Sequence, residues 1–266
     1  MPAAVSWISV TPVKGLRLQD RDEVEPTEDG VPGDRAFFVV DEAARMVSAT
    51  RLGPLVAVVP EYDLFAGTLS LRFPGGEDVA APVDLGEPEQ VRFGGLDLRA
   101  RPVVGPFSAA LSEHCGKPLR LIAMPPERPG VDRGRVGAAT ILSVASLERL
   151  REQAGVTEPV DPRRFRMTFG VEGLEAHEED GWIGREVRVG DATLSVMGNV
   201  GRCALTTRQP DTGLVDFKTL HLLKAYRGDV PTTEPLPFGV HASVVQPGRV
   251  RVGDLVTLNA ADDYAA

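Results

Sequence analysis

Apolar and polar positions alternate in short runs along most of the chain, and a period of two marks half-buried strands. Val5 to Val13 reads as a first strand carrying Trp7, and it ends in Thr11, Pro12, Val13, Lys14 and Gly15. Gly30 to Asp34 makes a turn into an apolar strand, Arg35 to Asp41. Thr50 to Leu52, Leu55 to Pro60, Leu69 to Phe73 and Val79 to Val83 follow as short strands at hairpin spacing, and Gly86 to Arg101 adds another pair. This half reads as an all-β unit of the barrel type. Phe107 to His114 departs from the pattern, with Ala109, Ala110 and Leu111 on one side of a short helix closed by Gly116.

Pro125 to Gly137 is polar and rich in Pro, Gly and Arg, as a linker or mobile loop would be. It divides the chain into domains of residues 1–125 and 126–266. In the second, Ala139 to Leu142 reads as a strand. Ser143 stands at the N-cap of a helix whose apolar side, Leu147 and Leu150, runs up to Gly155. Phe165 to Val171 is apolar, and Val187 to Val189 forms a hairpin with Thr193 to Met197 around Gly190 and Asp191. Gly198, Asn199 and Gly201 then break the pattern and leave Arg202 and Cys203 at the top of a turn. Thr219 to Arg227 reads as a helix with Gly228 as its C-cap, and Phe238 to Val245 and Val250 to Leu258 as closing strands. The expected fold class is mainly β with a few short helices (α+β), an amino-terminal β-barrel-like domain packed on a second β-barrel domain.

Composition narrows the function. With 266 residues, 42% hydrophobic and 25% charged, the chain can bury proper cores, and its 28 Gly and 22 Pro with only 6% aromatics suit many short strands. Two cysteines make neither a disulfide framework nor a cradle for an iron–sulfur cluster, which needs about four ligands, and they point to a reducing, cytoplasmic setting. A net charge of -9 argues against a nucleic-acid or acidic-membrane partner, and Met1 to Val13 has no basic start of the signal-peptide kind.

The chemistry concentrates in Met197 to Asp216, MGNVGRCALTTRQPDTGLVD. A thiol beside a guanidinium and a Gly-rich turn is readily held as a thiolate, a nucleophile or soft metal ligand; the plainer reading of Cys203 is a small buried hydrophobe. Lys14 by itself reads as a solvated surface charge, the usual fate of lysine. Arg35 is either the ion-pair partner of Asp34 or a planar fork for phosphate. Asp161 to Arg166, DPRRFR, is a solvated charge run unless an arginine turns inward with the apolar stretch it begins. His114 and Cys115 are neighbours on a helix and point about 100° apart, which suits a packed thiol and a surface imidazole. His177, Glu178, Glu179 and Asp180 read as a solvated turn.

Arg202-Cys203, a hydrophobic pair, Thr206-Thr207, two residues and then Pro210-Asp211-Thr212-Gly213 resemble the signature of the MOSC family, named for the carboxy-terminal domain of molybdenum cofactor sulfurase. Pro12-Val13-Lys14 after the first strand, Gly33-Asp34-Arg35, Arg166 after Phe165 and Val252-Gly253-Asp254 extend the resemblance over nearly the whole chain. It implies a molybdenum cofactor (Mo-molybdopterin) held by Cys203 as the thiolate metal ligand, with Lys14, Arg35, Arg166 and Arg202 gathered around the anionic pterin phosphate. Gly15 stands where cofactor-binding relatives usually have Ser, and Thr168 where they have Asn; Gly134 and Arg135 stand roughly where they often carry a Ser-Asp pair, so no ligand is carried over from that pair.

The resemblance further implies an oxidoreductase of the amidoxime-reducing type, which reduces N-hydroxylated small molecules. Relatives carry a membrane anchor or a fused ferredoxin-like domain; this sequence shows neither, so a separate electron-donor protein is expected. Two rivals stay open: a sulfur carrier or sulfurtransferase with a Cys203 persulfide, and a noncatalytic scaffold whose basic cleft binds a small anion or a protein.

Overall fold

The computed structural model describes residues 1–125, 133–232 and 234–259. The Pro125 to Gly137 linker therefore lies largely outside the described residues. Among the described residues strands dominate, with three α-helices, α1 (Phe107–Cys115), α2 (Val144–Ala154) and α3 (Thr219–Arg227). The expected fold class is the observed one.

The larger sheet has eight strands in the order Val256–Leu258, Glu186–Val189, Ala192–Gly201, Pro237–Gln246, Ala139–Ser143, Phe169–Glu172, Ala4–Val10 and Gln19–Asp20. Ala139–Ser143 and Phe169–Glu172 run parallel, with α2 in the chain between them, as a parallel pair requires a crossover. Ala4–Val10 pairs antiparallel with Phe169–Glu172, so the first strand of the chain is built into the sheet of the second half. Val5 and Ile8 are buried in one core with Val187, Leu194, Val240 and Val244. The division at residue 125 is thus crossed by a sheet.

In the first half, a five-stranded sheet (Phe37–Val40, Arg120–Ala123, Leu96–Val104, Asp84–Leu85 and Glu89–Phe93) and a three-stranded one (Val59–Asp63, Thr68–Arg72, Asp78–Pro82) surround a second core. Leu69, Leu71, Phe107, Leu111 and Leu121 in it are fully buried. Full burial of each such side chain is worth roughly 1.5–3 kcal/mol.

Several local expectations are corrected. Thr50 to Leu52 and Leu55 to Ala57 are not strands: Gly53–Ala57 is a 3₁₀ turn with Pro54 in its opening position, where the missing N–H costs nothing. The Thr193 to Met197 strand does not stop at Gly198. It continues to Gly201 through register shifts at Val196/Gly198 and Asn199/Gly201, because bulges absorb the glycines without ending the ladder. Val250 to Leu258 is split into Val250–Arg251 and Val256–Leu258 by a turn at Gly253. Ser143 occupies the N-cap of α2, but its hydroxyl donates to Glu175 O at 3.1 Å instead of capping. Gly116 and Gly155 close α1 and α2 in the left-handed conformation; Gly228 after α3 is right-handed.

The acidic triplet is not a solvated turn. Glu179 is wholly buried, and its carboxylate accepts from Ser143 N at 3.2 Å and Ser146 Oγ at 3.4 Å. Burial pushes its pKa up to about 7 and that of neighbouring His177 down to about 4, since both lose the solvation of their charged forms. Asp180 accepts from Arg227 and Asn199, each at 2.6 Å. Packing of α2 and α3 over this turn decides its burial, and nothing local in the sequence signals it.

Candidate active site

A cleft of about 510 Å³ opens between the two halves of the chain. Lys14, Gly15, Arg35 and the segment Met46–Thr50 line it from one side; Thr140, Phe165–Thr168 and Val200–Cys203 line it from the other. Basic side chains surround it: Lys14, Arg35, Arg133, Arg164, Arg166 and Arg202. Among the described residues, no acidic side chain lines it. Three of these cations are ion-paired, Arg35 with Asp34, Arg133 with Glu234 and Arg164 with Asp216, yet the lining itself carries one sign of charge, which favours an anionic guest.

Cys203 follows the Ala192–Gly201 strand and stands at the start of the 3₁₀ turn Ala204–Thr207. Successive residues of extended chain face opposite ways. Arg202 accordingly turns inward to 8% exposure while Cys203 is exposed to the cleft. The threonine pair shapes the turn: Thr206 Oγ1 donates to Cys203 O at 3.0 Å and Thr207 Oγ1 to Ala204 O at 2.7 Å. Thr50 reaches across from the first half and places its Oγ1 3.7 Å from Cys203 Sγ.

Arg202 serves the scaffold of the cleft. Its Nε donates to Phe238 O at 2.8 Å, its Nη1 to Phe165 O at 2.8 Å and its Nη2 to Met167 Sδ at 2.9 Å, and it lies 5.4 Å from the centroid of the Phe165 ring. Burial, the larger influence, lowers its pKa to about 9, and neighbouring Cys203 works in the opposite direction. The carbonyls compensate the desolvated guanidinium and pin together strands that carry the cleft wall.

Arg35 and Arg166 both have left-handed backbones, with φ of 52° and 55°. Non-glycine residues pay ~1 kcal/mol or more for that conformation, and such strain persists where surrounding contacts over-determine it. Here the contacts cross between the halves: Arg35 Nη2 donates to Arg166 O at 3.0 Å, and Arg166 Nη2 to Leu16 O at 2.8 Å. Arg35 also forms the ion pair with Asp34, the first of the two readings of that residue, and it lines the cleft. Lys14 is anchored through its backbone N–H to Phe37 O at 2.7 Å, and its Nζ lies 5.6 Å from the centroid of the Phe93 ring. The structure therefore brings Lys14, Arg35, Arg166, Arg202 and Cys203 to one cleft, with Arg202 behind its wall.

Gly15 has φ of 90°, so a serine there would have room beside Ala49 Cβ, 3.5 Å away, yet would be strained. Thr168 is buried in a reciprocal pair with Thr140: Thr168 N donates to Thr140 Oγ1 at 2.8 Å, and the hydroxyls lie 3.1 Å apart.

The Pro210 to Gly213 turn fastens the halves. Gly213 has φ of 74° and lies so close to the other half that a Cβ would sit 2.0 Å from Gly53 O. Arg208 spans the junction, donating to Gly213 O at 2.6 Å and Thr50 O at 2.7 Å. Asp211 accepts from Arg163 at 2.9 and 3.0 Å and pairs with Arg17 at 3.3 Å; hydrogen bonding from Arg163 holds its pKa below the ordinary carboxylate value.

Sequence reasoning passed over Arg133, Arg164 and Thr50 as cleft residues. Arg164 pairs with Asp216 at 2.7 Å, and its place in the DPRRFR run was the available signal. Arg133 pairs with Glu234 at 2.6 Å and stood within a segment read as a linker.

Comparison with known proteins finds the MOSC domain over residues 131–257 and the MOSC N-terminal beta barrel domain over residues 2–113. A Macaca fascicularis protein named mitochondrial amidoxime reducing component 2 is 36% identical over 95% of this chain and 82% of its own length. The Rattus norvegicus protein of that name is 29% identical over the same shares, and Homo sapiens mitochondrial amidoxime-reducing component 1 is 28% identical over 96% and 82%.

Proposed function

The chain belongs to the MOSC family, and from that premise we propose that its cleft binds a molybdenum cofactor through Cys203 and reduces N-hydroxylated small molecules, of which the amidoximes in its relatives' names are one kind. One observation carries the reading: an exposed thiol inside a cleft of about 510 Å³ ringed by cations. The donor set fits the group. Among the described residues, no cluster of three or more His, Cys, Asp or Glu could hold a bare metal ion, so Cys203 offers one soft ligand to a metal that brings the rest of its ligands with it. Lys14, Arg35 and Arg166 suit the phosphate of such a cofactor, the arginines through planar forks and the lysine as a point charge.

When bound, the cofactor supplies two electrons to an N–OH bond, with two protons completing the exchange for N–H and water. This chain contributes position and charge. Thr50 orients the Cys203 thiolate, Arg202 fixes the strands beneath it, and the crossing bonds of Arg35 and Arg166 hold the two walls at a set separation. Electrons arrive from a separate protein. Among the described residues, no helix is long and apolar enough to cross a membrane. An assay of a model amidoxime with a reduced dye as donor tests the reading: turnover that tracks molybdenum content supports it, and full metal loading without turnover removes the proposed substrate class.

Gly15 and Thr168 favour a second reading in which Cys203 carries a persulfide. Gly15 offers no hydroxyl and the Thr168 hydroxyl is committed to Thr140, so two expected cofactor contacts are missing while the thiol stays accessible. Cyanide-labile sulfur on Cys203 in metal-free protein, absent from Cys203→Ser, is its signature.

A further inference from the structure

Behind the cleft, a second and much smaller cavity of about 20 Å³ lies in the junction between the two halves. Arg17, Arg163, Arg164, Arg166 and Arg208 line it together with Leu18, Val56, Leu205 and Pro210. Its volume admits one water-sized species, for which the threshold is roughly 10–15 Å³. No acidic side chain lines it among the described residues. The carboxylates nearby are turned to other work: Asp161 and Asp211 accept from Arg163, and Asp216 accepts from Arg164.

Two donors there are buried without a hydrogen-bond partner, Arg17 Nε and Arg208 Nε. Arg17 spends its Nη2 on Asp211, and Arg208 spends Nη1 and Nη2 on the carbonyls of Gly213 and Thr50. Arg208 has no ion pair among the described residues, so a half-buried guanidinium is compensated by neutral oxygens alone. Burying a donor unmet costs roughly 1–3 kcal/mol, and a buried charge without a counter-charge costs more.

We propose that this cavity is an anion site of the halide class, in which a single chloride-sized ion is held between Arg17 and Arg208 and joins the two halves behind the active cleft. An anion meets both orphaned N–H groups as a double acceptor and supplies the counter-charge that Arg208 lacks. A neutral water would satisfy the donors and leave the charge as it is. Because Arg17 comes from the first half and Arg208 from the second, the ion binds only when the halves are docked, and mass action then makes it a stabiliser of that docking.

Crystals of the full chain grown in bromide in place of chloride test the assignment. An anomalous peak between Arg17 Nε and Arg208 Nε is the expected result; density there that carries no anomalous signal in bromide identifies water and overturns the proposal. In solution, replacing chloride with gluconate at constant ionic strength should lower Tm by about 3 °C in the wild type. Arg17→Met should abolish that difference while still folding, since it removes one partly exposed ion pair. A wild-type Tm indifferent to the anion, or an equal shift in Arg17→Met, contradicts it. Neither readout depends on the cofactor.

Discussion

Cys203 and Cys115 occupy surroundings that differ in exposure and in the charged groups nearby. Cys115 ends α1, its thiol packed against the first-half core, where burial pushes its pKa up to about 11 against a smaller opposing pull from Lys117. Its sequence neighbour His114 turns away, with Nε2 3.1 Å from Pro54 O and its ring against Phe73. Cys203 follows a strand end and is exposed in a cleft ringed by Lys14, Arg35, Arg133 and Arg166. Glu179 repeats the lesson of Cys115 on the other half, because there too burial favours the neutral form. Charge survives in this molecule where water or a carbonyl scaffold supports it, and the cleft is where both are available to a guest.

The largest effect that could break this contrast is on turnover. Cys203→Ser should abolish amidoxime reduction and Cys115→Ala should keep most of it; equal losses would show that the two thiols do not differ as described. Next comes reactivity. At pH 8 an alkylating reagent should modify exposed Cys203 faster than Cys115, because a thiol of pKa about 11 presents roughly one thiolate in a thousand. Comparable rates, read by peptide mass, would place Cys115 nearer solvent than its packing implies.

A smaller effect sharpens the role of the cations. Arg166→Ala should reduce cofactor retained through purification about tenfold while Tm falls by only a few degrees, the charge lost being worth roughly 1.4 kcal/mol of binding. Unaltered retention would remove Arg166 from the site. A further effect concerns Glu179. Its folded pKa stands above the unfolded one, so the folded state holds a proton that the unfolded chain has released, and stability falls as pH rises from about 4.5 to about 7. Glu179→Gln keeps the acceptor for Ser143 N and removes the titration. Its Tm relative to wild type should therefore climb across that window and level off above it, whereas a constant difference would mean that Glu179 does not titrate there.

What the sequence revealed follows from what is local. The α-helices were legible from apolar spacing and from Gly116 and Gly155, and the motif around Cys203 from residue types within one turn. The burial of Glu179 was not, because its partners Ser143 and Ser146 lie 36 and 33 residues away in the chain, as Arg227 and Asn199 lie away from its neighbour Asp180. Thr50 beside Cys203 and Arg35 on the Arg166 carbonyl were equally hidden, since each joins elements more than 100 residues apart: 153 and 131 respectively. Pro54 misled in the opposite direction, interrupting an apolar run whose composition suits a strand. The first strand's membership in the second half's sheet is likewise a choice made by pairing, which a single strand's pattern does not encode.

The most direct measurement is the elemental content of wild-type chain and Cys203→Ser purified in parallel from a host that makes the cofactor. Close to one molybdenum per wild-type chain, and almost none in the variant, is the predicted result. Molybdenum retained equally by both, or no metal in the wild type with cyanide-labile sulfur on Cys203, would contradict the assignment of that thiol as the metal's ligand.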